Sequence, residues 1–81
     1  MSKNLIGPQV RAYRLEQELT QDELAHKCNL AGWDITSNTI SKIEGQIKKV
    51  SDQEVTILAA VLQIEVAELY EPDPVDYLFS F

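Results

Sequence analysis

Residues 19–45 read LTQDELAHKCNLAGWDITSNTISKIEG, and the order of caps, apolar positions and breakers in this stretch decides the fold. Thr20 stands three residues before Glu23. At that spacing a threonine hydroxyl accepts the backbone N–H of the third helical residue while the glutamate reaches back to the cap. Asp22 and Glu23 also suit the positive end of a helix dipole. Leu24, Ala25 and Cys28 then supply an inner face, and Asn29 reads as the stop. A connection follows to Ile35 with Gly32 at its centre. Thr36 is placed to cap a second helix that runs through Glu44 and is stopped by Gly45. Ile40 and Ile43 face inward at a spacing of three. Ser37, Asn38, Ser41 and Lys42 are left outward, all of them hydrogen-bonding side chains.

Working outward from this pair, a helix is expected before it from about Ile6 to Glu18, with Pro8 in the first turn, where a missing N–H costs nothing. Its apolar positions Ile6, Val10 and Tyr13 form one stripe of an amphipathic helix. After the pair, Gln46 to Val50 form a basic loop with Lys48 and Lys49. Ser51 and Glu54 make a second capping box, opening a helix with Val55, Leu58, Ala59 and Leu62 on one face. A short fifth helix holds Val66 and Leu69 before Pro72 and Pro74. Five short helices without strand-like alternation make an all-α domain over residues 1–71, followed by a tail over residues 72–81.

An 81-residue chain with 44% apolar residues holds one domain with a modest core. Its single cysteine excludes a disulfide framework and fits a reducing compartment. The N-terminus lacks the long apolar run of a signal peptide, and the stretch from Val55 to Val66 is broken by Gln63 and Glu65 and too short to span a bilayer. A cytoplasmic protein without a membrane partner is expected. The net charge of −6 argues at first sight against nucleic acid. Its distribution removes the objection: residues 1–50 hold seven basic and six acidic residues, a net of +1, whereas residues 51–81 hold seven acidic residues and no basic one. The acidic part is either a solvated face that keeps the protein soluble or a surface that repels DNA or attracts a basic partner.

With these phrases in place, the run from Leu19 to Gly45 resembles the Cro and phage-repressor helix-turn-helix family, also called XRE-type. That family opens its second helix with Leu-Thr-Gln-x-x-Leu-Ala. It writes its recognition helix as Ser/Thr-x-x-Thr-Ile-Ser-x-Ile-Glu-x-Gly and completes the core with Leu-x-x-Leu-Ala-x-x-Leu. The resemblance spans roughly Ile6 to Leu69, and several phrases agree in order. It implies a five-helix lambda-repressor-like DNA-binding domain with a short apolar C-terminal tail. The implied function is a sequence-specific transcriptional regulator, a repressor acting as a homodimer on double-stranded DNA with a palindromic operator.

A helix lying in the major groove needs apolar anchors behind and short polar groups in front, and Ile40 and Ile43 against Ser37, Asn38, Ser41 and Lys42 fit that division. Asparagine reads adenine by a bidentate contact and lysine reaches guanine acceptors, so Asn38 and Lys42 are the base-reading candidates, with Ser37 serving base or phosphate. By resemblance Gln21 binds a phosphate, assisted by N–H groups at its helix terminus. Thr39, Gln46 and Lys48 are placed to grip the DNA backbone. The resemblance also pairs Arg14 on the first helix with Glu44; the alternative is two unrelated surface charges. The chain departs from the family pattern at Ala31 to Ile35, an insertion of about five residues in a turn that relatives keep tight. Trp33 and Ile35 are expected to tuck into the core edge; alternatively Trp33 touches the DNA backbone.

His26 and Cys28 diverge on a helix and cannot chelate a metal together, so Cys28 is expected in the core and His26 at the surface. Neither a phosphate loop nor a nucleophile with base and orienting partner can be assembled, so no enzyme, cofactor or metal is expected. Val75, Tyr77, Leu78, Phe79 and Phe81 crowd the tail with apolar side chains, which argues for fold-back or for packing on a second copy, the latter favoured. The competing functional reading is a protein–protein interaction module of the same fold, antitoxin-like or accessory, whose acidic half binds another protein.

Overall fold

The computed structural model describes residues 2–71; the expectations for the tail over 72–81 lie outside the described residues. The described chain is all-helical: α1 (Gly7–Glu16), α2 (Gln21–Leu30), α3 (Ser37–Glu44), α4 (Asp52–Leu62) and α5 (Val66–Leu69). α3 packs on α1 and α2, α4 closes against both of those helices, and α5 returns to α1 and α4. The apolar positions expected from their spacing meet in one cluster. Ile6, Val10, Leu24, Cys28, Ile40, Ile43, Leu58, Leu62 and Leu69 are fully buried there, and each large apolar side chain of this kind contributes roughly 1.5–3 kcal/mol on burial. Val66, expected beside Leu69, is instead largely exposed.

Both capping boxes form. Thr20 Oγ1 accepts from Glu23 N–H while Glu23 Oε1 accepts from Thr20 N–H, and Ser51 with Glu54 does the same for α4. The Thr20 N–H bound to the Glu23 carboxylate, and secondarily the adjacent Thr20 hydroxyl, hold that carboxyl below its ordinary range. α1 has no such box. Ile6 occupies its N-cap without an acceptor side chain, and Asn4 Oδ1 accepts the Gly7 N–H at 2.8 Å instead.

α1, α2, α3 and α4 end in the same way. A left-handed residue follows the last turn, and the next N–H returns five positions to a carbonyl of the helix. The left-handed residues are Glu18, Gly32, Gln46 and Gln63. The returning donors are Leu19 to Arg14, Trp33 to Cys28, Ile47 to Lys42 and Ile64 to Ala59, at 2.9 to 3.0 Å. Each donor is apolar, and Leu19, Trp33 and Ile64 pack against the core. Three expectations shift accordingly. α1 stops at Glu16, short of Glu18, because Glu18 is the residue that reverses the chain. α2 runs past Asn29 to Leu30, because Gly32, at φ +95°, supplies the reversal that was assigned to Asn29. Gly45 keeps a right-handed conformation, and Gln46 at φ 61° makes the turn after α3. The reversals at Glu18 and Gln46 are not legible in the sequence, because glutamate and glutamine carry no mark of left-handed backbone.

Candidate nucleic-acid interface

α3 presents two chemically distinct sides. Ile40 and Ile43 are wholly buried, while Asn38, Ser41 and Lys42 are exposed and Ser37 and Thr39 are half-buried. Thr36 holds the N-cap position with extended backbone, yet its side chain makes no cap hydrogen bond. The first N–H groups of α3 therefore have no side-chain acceptor, in contrast to α2 and α4.

The helix is braced at its other end by Glu44. Arg14 donates from Nε to Glu44 Oε2 at 2.6 Å and from Nη2 to Oε1 at 3.0 Å, a bidentate pair whose side chains are only 10% and 6% exposed. Arg14 Nη1 also donates to the Leu19 carbonyl at 2.8 Å, so one guanidinium ties the reversal after α1 to the end of α3. The hydrogen bond with the carboxylate raises the arginine pKa further and keeps the charge fixed. Gln21 joins the same network, donating to Glu44 Oε1 at 3.2 Å. Its amide nitrogen carries two hydrogens, so one remains for a second acceptor.

The connection between α2 and α3 is longer than a tight turn but is tied down. Asn29 Nδ2 donates to the carbonyls of Trp33 and Ile35, both at 3.0 Å. Trp33 and Ile35 lie half-buried against the core. The residues of this connection thus form a bracket leading into α3, and Asn29 works as its clasp.

On the far side of α3, Gln46 Nε2 donates to the Asn4 carbonyl at 3.0 Å, so part of that amide is engaged within the chain. Lys48 is half-buried and Lys49 exposed in the loop that follows. α1 and α3 meet in backbone contact here. A Cβ placed on Gly7 would collide with the carbonyl oxygen of Ile43 and stand 2.9 Å from that of Glu44. Neither Asn4, Gly7 nor the bracketing role of Asn29 was among the residues singled out from the sequence. Each acts through backbone groups, and Asn4 does so across about forty positions, where no spacing rule applies.

His26 is exposed and Cys28 buried, and burial pushes the Cys28 thiol up to about 11. Among the described residues no group of histidine, cysteine or acidic side chains has the arrangement of a metal site. No helix there is long and apolar enough to cross a membrane.

A helix buried along its back, polar along its front and delivered by a preceding helix and connection defines a helix-turn-helix unit. Residues 10–69 match the Helix-turn-helix family, and the chain belongs to it. Among solved structures the chain is similar to a hypothetical transcription factor, NHTF, from Neisseria. The TM-score is 0.75 at 23% identity, over 96% of this chain and 83% of that one. At that identity the likeness speaks for the fold. No curated protein matches the chain.

Proposed function

We propose that the chain is a sequence-specific DNA-binding transcriptional regulator, a repressor that acts as a homodimer on a palindromic operator. The carrying observation is the division of α3: Ile40 and Ile43 wholly buried, Asn38, Ser41 and Lys42 exposed. A rigid helix with outward amide, hydroxyl and ammonium groups suits the donor and acceptor pattern of the major groove. In this reading Asn38 and Lys42 read bases and Ser41 and Ser37 contribute short polar contacts. Gln21, Thr39, Gln46 and Lys48 contact the phosphate backbone, together with the N–H groups at the start of α3. Arg14 and Glu44 touch no DNA; they hold the helix at a fixed angle. The name of the Neisseria structure, a hypothetical transcription factor, agrees with this role. One small domain covers a single half-site, which favours two copies on a two-fold symmetric sequence.

Titration with random duplex DNA at several salt concentrations tests the reading, followed by selection of bound sequences from a random pool. Affinity that falls steeply with salt, and a selected palindrome, are expected. The competing reading, an interaction module, draws on the five acidic residues and no basic residue between positions 51 and 71. Absence of duplex binding at low salt would favour it.

A further inference from the structure

The loop after α3 carries Lys48, whose main chain makes a single hydrogen bond among the described residues. The partner is the side chain of Asn4, whose Nδ2 donates to the Lys48 carbonyl at 2.8 Å. The same Nδ2 donates to the Ile43 carbonyl in the last turn of α3 at 3.1 Å, and Asn4 Oδ1 accepts the Gly7 N–H that opens α1. An asparagine amide offers two donors and an acceptor, and here all three are matched. The surrounding bonds run to the same place: Lys3 N–H donates to the Gln46 carbonyl at 2.8 Å, and Gln46 Nε2 donates to the Asn4 carbonyl. No aspartate could replace Asn4, because a carboxylate does not donate. No aliphatic residue could do so either.

We infer that Asn4 is a positioning residue for DNA binding, holding the Gln46–Lys48 backbone so that Lys48 meets a phosphate in fixed register with α3. This rests on the DNA-binding reading and extends it to the segment before α1, which itself need not touch DNA. A flexible lysine still attracts phosphate, but a lysine held in register makes a contact that releases a counterion at a defined point.

The test is a double-variant cycle on the full chain, titrated with random-sequence duplex DNA across a salt series. The proteins are the wild type, Asn4→Ala, Lys48→Ala and the combination. Lys48→Ala is expected to reduce the slope of log affinity against log salt by about one. Asn4→Ala is expected to reproduce most of that loss, and the combined variant to lose no more than Lys48→Ala alone. If Asn4→Ala is unfolded at the assay temperature, Asn4→Asp takes its place, since it keeps the acceptor for Gly7 and lacks both donors. A mere charge effect of the aspartate persists in the Lys48→Ala background, whereas a positional effect vanishes there. An unchanged slope in the Asn4 variant, or losses that add, overturns the positioning role while leaving DNA binding intact. A wild-type chain that binds no duplex at low salt overturns the DNA-binding reading, and the positioning role falls with it.

Discussion

Asn38 and Lys42 stand on the solvent side of α3, four positions apart and turned away from the buried Ile40 and Ile43. Replacing either with alanine removes no core contact, so thermal unfolding is expected to stay near that of the wild type. Binding to a selected operator is expected to weaken by about 1–3 kcal/mol for each lost base contact. Equal operator affinity in both variants would remove α3 from base reading. Arg14 and Glu44 are expected to behave in the opposite way. Their side chains are nearly sealed from solvent and share two hydrogen bonds. Removing one partner strands the other charge, a loss of about 3–5 kcal/mol for a buried pair. Thermal unfolding of the two alanine variants and their combination measures the coupling, and additive losses would contradict it. Periodicity made the two sides of α3 legible in the sequence, because outward and inward positions follow directly from 3.6 residues per turn. Asn4 was not legible. Beyond the nearby Gly7 N–H, its partners are the backbone carbonyls of Ile43 and Lys48, which come near only with α1 and α3 docked.

At the scale of elements, starts were easier to read than ends. Thr20 and Ser51 announce α2 and α4 through side chains whose chemistry is specific to the task, and both boxes form. Helix ends instead depend on backbone reversal, and here three of four reversals fall on glutamate or glutamine. A side chain in that conformation costs roughly 1–2 kcal/mol, whereas glycine adopts it freely at some loss of unfolded-chain entropy. Gln63 is exposed, sits at φ 59° after α4, and makes no side-chain hydrogen bond among the described residues. Gln63→Gly is therefore expected to stabilise the domain by about 0.5–1 kcal/mol, read as a higher melting temperature. A lower melting temperature would show that the glutamine side chain contributes packing that outweighs its backbone strain. Gln46 is a different case, because its amide also binds the Asn4 carbonyl. The inserted connection belongs to this scale too. Its apolar residues were expected at the core edge from composition, while the clasp by Asn29 could be seen only once Trp33 and Ile35 were in place.

For the molecule as a whole, charge and assembly divide along the chain. Residues 51–81 carry no basic side chain, so the basic groups that phosphate would meet come from the first fifty residues. Assembly through the tail is a proposal from the sequence alone. Val75, Tyr77, Leu78, Phe79 and Phe81 follow a domain whose core, among the described residues, extends to Leu69. Burial of such side chains contributes roughly 1.5–3 kcal/mol each, enough to join two small subunits. Deleting residues 75–81 is expected to turn a dimer into a monomer in sedimentation experiments. A full-length chain that stays monomeric at high concentration would assign dimer formation to DNA instead. The overall architecture is readable from caps, stripes and breakers because α1 to α4 each bury a regular set of positions in one cluster, which Leu69 of α5 joins.

The way α3 is fastened has a consequence for how such a chain changes over time. Its attachments run through Ile40, Ile43 and Glu44, none of which faces outward. Asn38, Ser41 and Lys42 can be exchanged as a set without touching those attachments. In the proposed DNA-binding reading, recognition and foldedness are encoded in separate letters of the same eight-residue word, and a lineage can rewrite its address while leaving the envelope sealed.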